Sequence, residues 1–164
     1  MNIILEGLDA SGKSTLANKI QSKYSFPIIK KRTGDITNFI DFKNNTIYDR
    51  HFVSEWVFQR VYNRPAKLND KNFEFLKKVA TIHNSLIVIL ICSDMKIIFD
   101  RLLERGELNY LKEMDSQQKY FTECINTLLK DYPNLYVIDI AKPNAYEDVE
   151  AWITYKIEKY KNIV

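Results

Sequence analysis

The chain has 164 residues, 46% of them hydrophobic and 27% charged, the proportions of one globular domain with a core rather than of a disordered chain. Its net charge of +3, from 24 basic and 21 acidic residues, is too small to mark a nucleic-acid binder, yet allows a local basic cluster for a phosphorylated small molecule. The longest apolar run, Leu86 to Cys92, is far too short to span a bilayer.

Taken in chain order, Ile3-Ile4-Leu5 reads as a strand that stops at Gly7, and Leu16 and Ile20 continue as a helix. The opening Met1-Asn2-Ile3-Ile4-Leu5-Glu6 lacks the basic and apolar regions of a secretory leader. The expectation is therefore a cytoplasmic protein, or one made in a host's cytoplasm, without membrane or nucleic-acid partners. Pro27-Ile28-Ile29 and Thr46-Ile47-Tyr48 are the second and third strands, the third ending at Asp49-Arg50. Phe52 to Tyr62 carries Val53, Val57, Phe58 and Val61 at helical spacing, and a further helix over Asp70 to Ile82 has Asp70 as N-cap candidate. Leu86 to Ile91 is apolar throughout, as a parallel strand buried on both faces requires. Helices follow over Ser93 to Glu104 and Asn109 to Leu129, then a fifth strand at Leu135 to Ile138 and a helix from Tyr146 to Tyr160. Alternation of this kind predicts an α/β fold: a five-stranded parallel sheet with helices on both faces and ligands at the strands' C-terminal edge. With no linker or repeat visible, residues 1–164 are expected to form one domain. Cys92 and Cys124 fall in apolar runs and are expected to be buried thiols.

Gly7-Leu8-Asp9-Ala10-Ser11-Gly12-Lys13-Ser14 matches the Walker A pattern in full. Glycines let backbone N–H groups approach phosphate oxygens, and the following helix directs its positive end at the same anion. Lys13 is then expected at the β- and γ-phosphates, and the Ser14 hydroxyl on Mg²⁺. The expected donor is ATP, bound by the segment from Gly7 to Thr15. Asp9 would repel a phosphate, which suits a residue that accepts from a hydroxyl instead.

Two further features concern the acceptor. Arg50, at the end of the third strand, suits a bidentate grip on phosphate, and Asp49 suits either Mg²⁺ or the orientation of Arg50. His51 reads as a packed or capping residue. Arg101 and Arg105 share one helix face, and Gly106 ends that helix, so a lid over about residues 101–115 can carry charge to a phosphoryl group in transfer.

With these blocks in place, the chain resembles the thymidylate kinase family, in a short form like those of phages. Leu5 to Thr15, Asp49 to Ser54 and Arg101 to Gly106 carry the resemblance, which extends over nearly the whole chain, although only the first two blocks are specific. It implies that Asp9 binds the acceptor's 3′-hydroxyl and that Arg50 holds its monophosphate. Asp49 would help organise Mg²⁺, and Ser54, Glu55 and Phe58 would lie beside the base. Arg105 would belong to the lid, with Arg101 near it or the adenine. Lys13, Asp49, Arg50 and Arg105 form the implied catalytic set, and homodimerisation through helices beside the sheet is implied too. The chain departs from the family in its short segment from Arg32 to Asn45 and in reading Lys31-Arg32-Thr33-Gly34 at the loop where Arg32 would touch the acceptor. Glu55 stands where relatives can place an amide, and a carboxylate there can accept from a pyrimidine N3–H or from an exocyclic amine.

The expected reaction is ATP-dependent phosphorylation of a deoxynucleoside monophosphate, of dTMP or dUMP type. A deoxynucleoside kinase is the rival: it needs a base near the second strand, where Lys30, Lys31 and Arg32 stand before any acid. A non-catalytic ATP-binding module is a third reading. A guanine-nucleotide switch is disfavoured because Ile89 to Asp94 lacks the Asn-Lys-x-Asp pattern.

Overall fold

The computed structural model describes residues 1–30, 34 and 36–162. Five strands form one parallel sheet: β1 (Ile3–Gly7), β2 (Ile28–Ile29), β3 (Ile47–Asp49), β4 (Leu86–Ile91) and β5 (Leu135–Asp139). Six helices connect them: α1 (Lys13–Tyr24), α2 (Phe52–Val61), α3 (Asp70–Ile82), α4 (Met95–Glu104), α5 (Met114–Thr127) and α6 (Ala145–Lys161). The strand order is β2-β3-β1-β4-β5. All residues of β1 and β3 are buried, although their side chains alternate between faces, so helices must cover both sides of the sheet.

This order fixes where the chemistry can sit. β1 is central, with β3 on one side and β4 on the other, and Leu5 pairs with Asp49 across the β1–β3 ladder. The turn after β1 and the residues after β3 therefore emerge side by side at the same sheet edge, as parallel strands require.

Several boundaries differ from the sequence reading. Asn69, not Asp70, caps α3: its side chain accepts from the Asn72 N–H at 2.9 Å. Asp70 sits in the first turn and accepts instead from the Trp56 indole at 2.8 Å. The helix expected over Asn109 to Leu129 is divided into a 3₁₀ segment, Leu108–Glu113, and α5. Asp94 caps α4 by accepting from the Lys96 N–H, while Ser93 donates its backbone N–H to Asp139. The apolar side chains of α2 from Phe52 to Phe58 are buried within the chain, with Val61 only partly so. Both cysteines are free and buried, and burial raises both thiol pKa values. Among the described residues, no helix is long and apolar enough to cross a membrane.

Gly7 closes β1 at φ 126°, and a Cβ there would lie 2.1 Å from the Leu90 carbonyl oxygen of β4. Gly7→Ala must therefore push β1 off β4 as well as strain the backbone. Chemical denaturation should show a loss of about 2–3 kcal/mol.

Candidate active site

The loop from Gly7 to Gly12 turns its chain between β1 and α1. Gly12 caps α1 at φ 87°, with no side-chain cap hydrogen bond on that helix. A Cβ at Gly12 would meet the Tyr146 hydroxyl at 2.5 Å. The glycine thus serves two ends, a left-handed turn and close approach of the loop to α6. With no side chain over it, the N-terminal turn of α1 is available to an anion.

The loop's carbonyl groups face donors on other elements. Arg101 Nη1 donates to the Ala10 carbonyl at 3.0 Å and to the Tyr146 hydroxyl at 3.2 Å, and Tyr146 donates to the Ser11 carbonyl at 2.7 Å. Arg101 therefore braces the loop from α4. Lys13 Nζ donates to the carbonyls of Gly7, at 3.0 Å, and Leu8. The Lys13 ammonium is held down to about 7, chiefly by burial and then by Arg50, against the attraction of Asp9, Asp49 and Glu6. A bound polyphosphate would supply the counter-charge that favours its protonated form.

On the β3 side, the Ser14 hydroxyl donates to Asp49 Oδ2 at 2.9 Å, and Lys30 Nζ lies 3.9 Å from the same oxygen. A hydroxyl and a carboxylate oxygen this close fit a Mg²⁺ site that takes its remaining ligands from water and phosphate. Among the described residues, no cluster of three or more His, Cys, Asp or Glu side chains is gathered for a metal, so any cation here would depend on the nucleotide's oxygens.

Arg50 adopts φ 73°. Its backbone N–H donates to the Leu5 carbonyl at 2.9 Å, its guanidinium pairs with Asp9, and the guanidinium carbon lies 4.6 Å from the centre of the Phe58 ring. Asp9 is further held by Gln117: the Gln117 side-chain amide donates to Oδ2 at 2.8 Å, and its carbonyl oxygen accepts the Asp9 backbone N–H at 3.0 Å. Gln117 was not singled out from the sequence. Its signal was a polar residue on the buried stripe Met114, Gln117, Phe121, Cys124 of α5.

Asp9, Lys13, Ser14, Asp49, Arg50 and Arg105 come together around one cleft of about 390 Å³, joined by Ala10, Ser11, Gly12, Thr15, Lys30, Glu107 and Tyr110. Arg105 caps α4 in a Schellman turn, with Gly106 donating to Leu103 and Glu107 to Leu102. Leu8 is a core residue, fully buried. Phe58 lies beneath Arg50. Ser54 turns its hydroxyl inward to Glu6, and Glu55 is buried with Oε2 3.8 Å from Arg64. Arg32 lies outside the described residues.

Glu6, fully buried, accepts the backbone N–H groups of His51, Val53 and Ser54 at 2.9, 3.2 and 3.2 Å. His51 itself packs among Phe39, Phe42, Tyr48 and Phe52. Burial raises the Glu6 carboxyl to about 7, outweighing its hydrogen bonds and Arg50.

No family model matches the chain. It is 28% identical over 137 residues to the SPbeta prophage-derived uncharacterized protein YorR of Bacillus subtilis strain 168, covering 76% of this chain and 81% of that protein. The crystal structure of YorR, in complex with phosphorylated GDP, matches 99% of this chain and 98% of its own with a TM-score of 0.80 at 24% identity. Deoxyadenosine kinase from M. mycoides with bound dCTP matches at TM-score 0.64 and 16% identity, over 94% of this chain and 100% of that one. A gluconokinase from Sinorhizobium meliloti 1021 matches at TM-score 0.53 and 14% identity, over 99% and 94%. The fold is that of the P-loop kinases.

Two outcomes are expected. Mg²⁺ with ATP should raise the melting temperature of the wild type and leave Lys13→Ala unmoved in a thermal-shift assay. The second follows from Glu6. Its folded pKa lies above the unfolded value, so its contribution to stability is full below about 4.5 and is lost as pH rises through about 7. Relative to Glu6→Gln, which cannot ionise, the wild type should lose about 3 kcal/mol across that window in urea titrations at several pH values.

Proposed function

We propose that this protein is an ATP- and Mg²⁺-dependent deoxynucleoside monophosphate kinase of the thymidylate kinase type. One observation carries the reading: two cationic anchors on one cleft, Lys13 within the phosphate loop and Arg50 at the end of the neighbouring strand, with Arg105 and Lys30 on the same walls. One anchor suits the donor's triphosphate and the other an acceptor that already bears phosphate.

In such a reaction an anionic oxygen of the acceptor's phosphate attacks the γ-phosphorus, and the bond from that phosphorus to the β,γ-bridging oxygen breaks. ADP departs and no proton has to move. The chain's part is positioning and charge neutralisation: Lys13 on the donor, Arg50 on the acceptor, Arg105 at the transferred group. Mg²⁺, held by Ser14 and Asp49, would add charge on the donor's oxygens. A nucleoside acceptor would need a carboxylate free to take its hydroxyl proton. Two of the three acids lining the cleft are otherwise engaged, Asp9 with Arg50 and Gln117 and Asp49 with Ser14; the third is Glu107, beyond the end of α4.

The choice of base rests on the resemblance, with Glu55 and Arg64 as candidate contacts. Glu55 Oε2 and Arg64 Nε are both buried without a hydrogen-bond partner. A carboxylate beside a guanidinium complements a ring N–H beside a carbonyl. Thymine, uracil and guanine present that edge, and the amino group beside a ring nitrogen of adenine and cytosine meets the same pair, so thymine or uracil is favoured by the resemblance to thymidylate kinases. The guanine nucleotide bound to YorR is compatible with such a pair as well.

A coupled ADP-release assay over five deoxynucleoside monophosphates and their nucleosides tests the proposal. Turnover is expected on dTMP and dUMP, with dAMP and dCMP at least about tenfold poorer in kcat/KM. Arg50→Ala should reduce kcat/KM by about 10²–10³. Turnover on nucleosides alone, or ATP binding without acceptor-dependent ADP release, would reject it.

A further inference from the structure

Arg50 can hold a phosphate opposite Lys13 only if its own backbone is fixed, and that backbone is unfavourable. At φ 73° a side-chain-bearing residue is in the left-handed region, which persists only where surrounding contacts over-determine it. Those contacts come from two consecutive residues of β1. The Leu5 carbonyl accepts the Arg50 N–H at 2.9 Å, and Glu6 Oε1 accepts the His51 N–H, also at 2.9 Å. The same carboxylate accepts from Val53 N–H, Ser54 N–H and the Ser54 hydroxyl. Among the described residues, these donors to the Glu6 carboxylate all lie within residues 51–54, at the start of α2.

We infer that Glu6 is a positioning residue: its buried carboxylate caps α2 from 45 residues away and thereby sets Arg50 relative to the phosphate loop. His51, the N-cap residue of α2, makes no side-chain cap hydrogen bond, and the Val53 and Ser54 N–H groups of the helix's first turn are met by Glu6. Gly7, the next residue, begins the turn toward Lys13. A single peptide unit therefore separates the group that fixes the acceptor's cation from the loop that fixes the donor's. Glu6 also occupies the positive end of α2 with a carboxyl group, which keeps that helix terminus from serving as a phosphate site and leaves the acceptor's anion to the Arg50 side chain.

The inference rests on the proposed monophosphate kinase reading and is tested with the full chain, wild type and variants side by side. In Glu6→Gln, one oxygen becomes an amide NH2 facing N–H donors, so the grip on residues 51–54 slackens. The acceptor's KM should rise at least about tenfold while the Kd for ATP·Mg, measured by calorimetry without acceptor, stays within twofold. An acceptor KM and kcat unchanged in a folded Glu6→Gln protein would overturn the inference, as would equal weakening of ATP and acceptor. If Glu6→Gln does not fold, Glu6→Asp takes its place. It retains the charge but is one methylene shorter, and is expected to raise the acceptor's KM about threefold with ATP binding preserved; an unchanged KM overturns the inference there too. A wild type without turnover on any monophosphate would sink the kinase reading itself, which separates the two failures.

Discussion

Pointing consecutive backbone N–H groups at one anion obliges the intervening carbonyls to find donors elsewhere, because a buried unpaired carbonyl is costly. In this protein that constraint organises half the chain. The Ala10 carbonyl is met by Arg101 of α4 and the Ser11 carbonyl by Tyr146 of α6. Gln117 of α5 takes the Asp9 N–H and its carboxylate together. Three helices far apart in sequence thus converge on a loop of a few residues, and the loop's shape follows from their packing rather than from its glycines alone.

Electrostatics sets the second requirement. Lys13 and Arg50 repel each other, and both are held near a largely buried group of acids. Asp9, Asp49 and Glu6 are what make that concentration of positive charge tolerable without a ligand. Each carboxylate has a distinct partner: Asp9 pairs with Arg50, Asp49 accepts from Ser14, and Glu6 binds backbone N–H groups. The cleft is therefore balanced before phosphate arrives, and a polyanion must compete with carboxylates for the same cations.

Much of this was legible in the sequence because local signals dominated. The all-apolar run Leu86–Ile91 is β4 with those bounds, Asp70–Ile82 is α3, and Lys13 begins α1. The Walker A pattern and the Asp49-Arg50 pair, which mark the cleft, were both read directly. What escaped the reading acts over long distance or between near-equals. Asn69 and Asp70 are adjacent cap candidates, and only the turn geometry selects Asn69. Tyr146 and Gln117 contact the loop across more than a hundred residues, and no periodicity reports such a contact. Ser54 was expected beside the acceptor's base, and nothing local announces that its hydroxyl bonds Glu6, a contact made because a buried carboxylate needs every donor it can reach.

The bond from Tyr146 to the Ser11 carbonyl has a temporal side. The phosphate loop leaves the ribosome 135 residues ahead of its outer brace, Tyr146, near the start of α6. Ion pairing of Lys19 with Glu150, and hydrogen bonds from Lys23 and Tyr24 to Thr154, bind α1 to the same late helix. During synthesis the nascent loop must wait for α6 to emerge before it acquires its working shape, so nucleotide capture follows the appearance of that helix.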